Sequence, residues 1–179
     1  TYTSKAGENI DLTGGADTTF TTTGKDITFG TGTIEMANGS NLIIDTGTGG
    51  GAIELPGGVM GTSSENITLT AGTGNVTVGA IGTGSEIADV TITSTGTTTF
   101  NGDFVGGTLE NTGPVIAGAD INIGTGAVTF GGTLDSLNGS QAITFNTPGF
   151  EINITGAIGG TNAFGTVSYT HLRAHETVS

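Results

Sequence analysis

The chain has 179 residues, of which 35 are Gly and none is Cys or Trp; 3 Lys and Arg stand against 16 Asp and Glu, for a formal net charge of −13. That balance argues against nucleic acid and anionic membrane surfaces, which are gripped by clusters of Lys and Arg. The absence of Cys excludes disulfide staples and thiolate metal sites, and no apolar run approaches the length of a membrane span.

Thr1 falls in mid-pattern, so the N-terminus reads as cut rather than begun. From there the chain repeats one phrase, an alternating apolar pair bounded by Gly. It appears as "DITFG" from Asp26, "GTIEM" from Gly32, "NLIID" from Asn41 and "AIEL" from Ala52. It continues as "NITLT" from Asn66, "NVTVG" from Asn75 and "DVTIT" from Asp89. "DINIG" from Asp120, "AVTFG" from Ala127, "AITF" from Ala142 and "EINIT" from Glu151 complete the set. Period two with Thr, Asn or Glu between apolar residues is the signature of strands with one buried face. The Gly-Thr-Gly, Asn-Gly and Gly-Gly clusters between them are turns. No segment has helical spacing, so an all-β fold is expected. Ile67, Leu69, Val76, Val78, Ile121, Ile123, Val128, Phe130, Ile143, Phe145, Ile152 and Ile154 are its predicted inward residues.

Internal repetition selects a solenoid. Glu65–Ala88 aligns with Gln141–Gly165, placing Ile67 on Ile143, Leu69 on Phe145, Val76 on Ile152 and Val78 on Ile154. "DITFGTG" at Asp26 aligns with "DINIGTG" at Asp120. Coils of roughly 20 to 25 residues, stacked at about 4.8 Å, predict about seven coils in a rod about 35 Å long. With no polar cap at either end, the segment reads as a slice of a longer fibre.

The last residues depart from this language. "VSYTHLRAHET", Val167–Thr177, holds both histidines, His171 and His175, and the sole arginine, Arg173. The i, i+4 histidine spacing suits zinc on a helix. The segment, however, resembles the translation of a transposase-based sequencing adapter. It is therefore set aside from fold and function. The expected division is a solenoid segment over 1–165 and a non-native tail over 166–179.

Without the tail the chain has no His, Cys or Arg, which removes His-based triads and Cys–His pairs. Asp26, Asp45, Asp89, Asp103, Asp120 and Asp135 are scattered and read as solvated turn acids. "GTGGGA", Gly47–Ala52, mimics a dinucleotide fingerprint, but "IEL" and Pro56 follow where a helix N-terminus is needed. Sequons at Asn38, Asn66, Asn75, Asn138 and Asn153 match what a Ser- and Thr-rich composition produces by chance. Thr-rich runs suggest outward rows like those of ice-binding solenoids, but the wandering spacing predicts that the rows do not align. No catalytic, cofactor-binding or metal-binding residue is expected.

The phrase "NITLTAGTGNVTVGAIGTGSEIADVTITSTGTTTFNG", Asn66–Gly102, resembles the repeat region of filamentous-haemagglutinin-like bacterial adhesins, which are exported by two-partner secretion or as autotransporter passengers. The resemblance implies a right-handed parallel β-helix serving as a stalk on an outer surface, with an outer-membrane transporter as its partner during export. It also implies contact with a host or neighbouring cell through other parts of the full protein, an extracellular or cell-surface location, and no catalysis. A β-helical enzyme acting on polysaccharide and a phage or surface-layer fibre are the alternatives.

Overall fold

The computed structural model describes residues 1–5, 7–62 and 64–170, and all strand pairing among them is parallel. No helix occurs among the described residues. The first coil carries β1 (Tyr2–Thr3), β2 (Ile10–Leu12) and β3 (Thr18–Thr21). The second carries β4 (Ile27–Thr28), β5 (Ile34–Met36) and β6 (Leu42–Asp45), and the third β7 (Ile53–Leu55), β8 (Val59–Met60) and β9 (Asn66–Gly72). Two strands suffice for the fourth, β10 (Val76–Val78) and β11 (Ile87–Ser94), and for the fifth, β12 (Thr98–Phe100) and β13 (Phe104–Asn111). β14 (Val115–Ala117), β15 (Ile121–Thr125) and β16 (Val128–Phe130) form the sixth. β17 (Leu134–Ser136), β18 (Ala142–Asn146) and β19 (Ile152–Ile154) form the seventh, and β20 (Thr166–Thr170) follows. The chain is thus a parallel β-solenoid of about seven turns.

Three faces enclose one core. The first stacks β1, β4, β7, β10, β12, β14 and β17. On the second, Ile10, Ile34, Val59, Ile81, Phe104, Ile123, Phe145 and Tyr169 lie one above another. On the third, Leu42, Ile67, Val90, Leu109, Val128 and Ile152 form one column, and Phe20, Ile44, Leu69, Ile92, Asn111, Phe130 and Ile154 another. β13 runs across a corner: Phe104–Gly106 pair with β15 on the second face, and Leu109–Asn111 pair with β16 on the third.

Ten of the twelve predicted inward residues are fully buried, from Ile67 to Phe145. Each such side chain contributes about 1.5–3 kcal/mol by leaving water. Ile152 and Ile154 are only half-buried. Their strand, β19, pairs with β16 on one side, and no strand stacks on its other side among the described residues.

The internal alignment is out of phase with the coils. Leu69 lies on the third face and Phe145 on the second, while Ile27 lies on the first and Ile121 on the second. The apolar–polar–apolar phrase is the same on every face, so similarity of phrase does not report stacking. Coil length also varies. Inter-coil partners are 26 residues apart at Asp26 and Ala52, 22 at Asn75 and Thr97, 18 at Ser94 and Thr112, and 26 again at Asp135 and Thr161. The strands hold register because the corners absorb the difference.

Those corners need glycine. Gly51, Gly74, Gly96, Gly113, Gly132 and Gly156 stack between the third and first faces. A Cβ on Gly74 would lie 2.1 Å from the Gly51 carbonyl oxygen, and one on Gly132 2.5 Å from the Gly113 carbonyl carbon. Only a residue without a side chain lets the backbones approach this closely.

Thr166–Thr170, within the segment that resembles adapter sequence, pair as β20 with β18, and the Tyr169 ring stacks on Phe145 at 5.3 Å. Val167 and Tyr169 stay 37% and 50% exposed, so this strand adds an edge without burying its side chains. His171, Arg173 and His175 lie outside the described residues.

Candidate functional site

The scattered aspartates have a common role that their spacing concealed. Asp26 accepts the backbone N–H of Ala52 at 2.9 Å, Asp89 that of Thr108 at 3.2 Å, and Asp103 that of Asn122 at 2.8 Å. Asp120 accepts from Ala142 at 2.7 Å and Asp135 from Thr161 at 2.8 Å. Five of the six therefore cap an amide of the following coil. Asp45 caps Gly47 within its own turn at 2.7 Å. The first five are coil-to-coil ties rather than merely solvated turn acids.

Asparagines do the same work. Asn9 accepts from Thr33, Asn41 from Asn66, Asn66 from Asp89 and Asn75 from Thr97. With Asp26, Asp89, Asp103 and Asp120 they share one sequence context, an Asx immediately before an inward apolar residue. At that position the backbone leaves a corner to enter a strand, and the next coil presents an amide that the side-chain oxygen satisfies. The "DI", "NL" and "DV" starts of the repeated phrase were the available signal.

Among the described residues Glu65 is the one carboxylate with no exposed surface. Its Oε1 accepts the amide of Gly39 at 3.0 Å and the hydroxyls of Thr62 and Ser64 at 2.8 and 2.9 Å. Its Oε2 accepts the amides of Thr62 at 2.5 Å and Ser64 at 3.3 Å. Burial pushes its pKa up, but the Thr62 and Gly39 amides and the two hydroxyls together favour the charged form more strongly, and the result is about 2. A carboxylate saturated in this way is a structural anion and has no free lone pair to offer a substrate.

The other interior polar groups are also mostly paired. The Thr98 hydroxyl donates to Asn111 Oδ1 and Asn111 Nδ2 donates to the Gly113 carbonyl, both at 2.7 Å. Ser136 donates to Gln141. Thr147 Oγ1 is buried and meets no hydrogen-bond partner among the described residues.

Open grooves lie on the surface among the described residues. One, of about 350 Å³, is lined by Glu35, Met36, Met60, Thr62 and Ser85 among others. Another, of about 470 Å³, is lined by Glu86, Gly106, Gly107, Gly126 and Phe150 among others. Each groove brings a single carboxylate to its lining, whereas hydrolysis of a glycosidic bond uses two facing each other across the scissile bond. No group of three His, Cys, Asp or Glu residues converges among the described residues.

The remaining motifs fall into place as architecture. Gly47–Ala52 forms the corner between β6 and β7, with a strand behind it instead of a helix N-terminus. Thr68 and Thr70 stand in register with Thr91 and Thr93, but only across one pair of coils. They end after two coils, where Ile43 and Asp45 precede them and Glu110 follows Thr91. Among the sequons, Asn66 and Asn75 are engaged as inter-coil acceptors, and Asn38 Nδ2 donates to the Thr13 carbonyl at 2.8 Å. Asn138 accepts from Ser140, and Asn153 is exposed on the outward side of β19.

Compared with protein-family models, curated proteins and solved structures, the chain finds no match in any of the three.

Proposed function

We propose that this chain is a structural stalk or passenger segment of a large exported bacterial surface adhesin, and that it carries no catalysis of its own. The supporting observation is the way the stack is tied together. Apolar columns and Asx-to-amide bonds join each coil to the next, so stability accumulates from neighbours along the axis. Such a chain, free of disulfides and poor in charge, suits passage through an outer-membrane pore while unfolded, followed by coil-by-coil zipping outside. Ligand recognition is assigned to other parts of the full protein, and the acidic surface limits lateral association.

The test places residues 1–165 as a spacer between the secretion domain and a tagged tip of a two-partner-secretion passenger. Surface display of the tip, with the spacer resistant to protease, is expected. A spacer that stalls in the pore, or that emerges protease-sensitive, overturns the reading. The enzyme alternative is checked on the same chain with uronic acid polymers: turnover that disappears when one Asp is changed would replace the stalk by a polysaccharide-acting enzyme.

A further inference from the structure

We propose that Asn101–Gly102 is the position at which this chain first deamidates, a spontaneous covalent modification whose location is selected by the fold and not by the dipeptide. Three Asn-Gly pairs occur, at Asn38, Asn101 and Asn138. In each the chemistry is the same. The Gly nitrogen attacks the Asn side-chain carbonyl carbon and forms a C–N bond. The bond to the side-chain amide nitrogen breaks, and ammonia leaves with the proton that the backbone nitrogen gives up. Water then opens the cyclic imide at either carbonyl, giving aspartate or isoaspartate. Glycine is the fastest following residue because it has no side chain to hinder the approach.

The step requires the Gly N–H to be free of other acceptors, and here the three pairs differ. The Gly39 N–H is held by the buried carboxylate of Glu65 at 3.0 Å, and the Asn38 carboxamide is tied to the Thr13 carbonyl. The Gly139 N–H donates to the buried Ser136 hydroxyl at 2.8 Å, and Asn138 Oδ1 accepts both the N–H and the hydroxyl of Ser140. Reaction at either site has to break these bonds first. At the third pair the Asn101 N–H is anchored to the Val78 carbonyl at 2.8 Å, but the Gly102 N–H meets no acceptor among the described residues. The Asn101 side chain is exposed and makes no hydrogen bond among them.

The site also matters mechanically. Asn101 and Gly102 turn the corner between β12 and β13. A Cβ on Gly102 would lie 2.7 Å from the Ala80 nitrogen, and one on Gly118 2.0 Å from Asn101 Oδ1. Isoaspartate lengthens the backbone by one methylene in this crowded corner and adds a negative charge two residues from Asp103. Conversion is therefore expected to loosen the junction between the fourth, fifth and sixth coils.

The test is peptide mapping by mass spectrometry, resolving aspartate from isoaspartate, on the full chain aged at mildly alkaline pH with and without denaturant. In the folded protein, position 101 is expected to convert several-fold faster than positions 38 and 138. In denaturant the three rates are expected to converge. An Asn101→Gln variant, aged alongside, should lose the fast conversion while positions 38 and 138 keep their slow rates. Conversion at position 38 or 138 as fast as at 101 in the folded chain overturns the proposal. So does absence of conversion at 101, or the same preference for 101 in denaturant.

Discussion

The buried carboxylate of Glu65 accepts the amide of Gly39 at 3.0 Å, so the third coil holds the Asn38–Gly39 turn of the second from inside. Asn38 and Gly39 both adopt positive φ, 59° and 75°. The carboxylate thus pins a turn that strands alone do not specify. Its pKa is about 2 in the fold against an ordinary 4.5. A depressed pKa stabilises the folded state fully above the ordinary value, and the contribution is lost as pH falls through the folded one. Between pH 4.5 and about 2 the chain is therefore expected to lose the stability that this group contributes. The measurement is thermal unfolding across that window for the wild type and Glu65→Gln. Their difference in stability should shrink toward low pH. A constant difference would show that Glu65 does not titrate as its surroundings require.

The Thr98–Asn111 pair replaces apolar contacts inside the narrow fifth coil. Asn111→Leu strands the Thr98 hydroxyl and the Gly113 carbonyl, and is expected to cost about 2–4 kcal/mol. Adding Thr98→Val removes one of the two orphans and should recover part of that loss. Denaturant unfolding of both single variants and the double checks the coupling, and simple additivity of the losses would refute it.

Position along a column should decide the damage done by a charge. Ile123 is 1% exposed between Phe104 and Phe145, whereas Ile154 is half-buried at the end of its column. Ile123→Asp is expected to cost several kcal/mol, comparable to the whole stability of a small domain. Ile154→Asp should cost much less. Circular dichroism melts compare the two, and equal losses would contradict the stacked core.

The stacked glycine corner makes a similar contrast. Gly74→Ala drives a methyl group into the Gly51 carbonyl, while a Cβ on Gly14 meets nothing within 4 Å. A loss of about 2 kcal/mol or more is expected for the first, through strain, and about 0.5 kcal/mol or less for the second. Thermal melts of the two variants decide the matter, and a neutral Gly74→Ala would mean that the corner can open.

Much of this architecture is local and was legible in the residues. Alternation of period two in stretches such as Asn66–Thr70 states that a strand has one buried side, and the glycine clusters state where the chain turns. Ten predicted core residues follow from that alone. Which strand stacks on which did not follow: Leu69 sits between Ile44 and Ile92 on the third face, and Phe145 sits on the second. The three faces share one apolar phrase, and variable corners hide the period. The roles of Asp26, Asp89 and Glu65 were equally hidden, because each is completed by backbone amides, and the inter-coil amides lie a full coil away. An amide belongs to almost every residue and leaves no mark in the sequence; only the stacking of coils decides which one a given carboxylate meets.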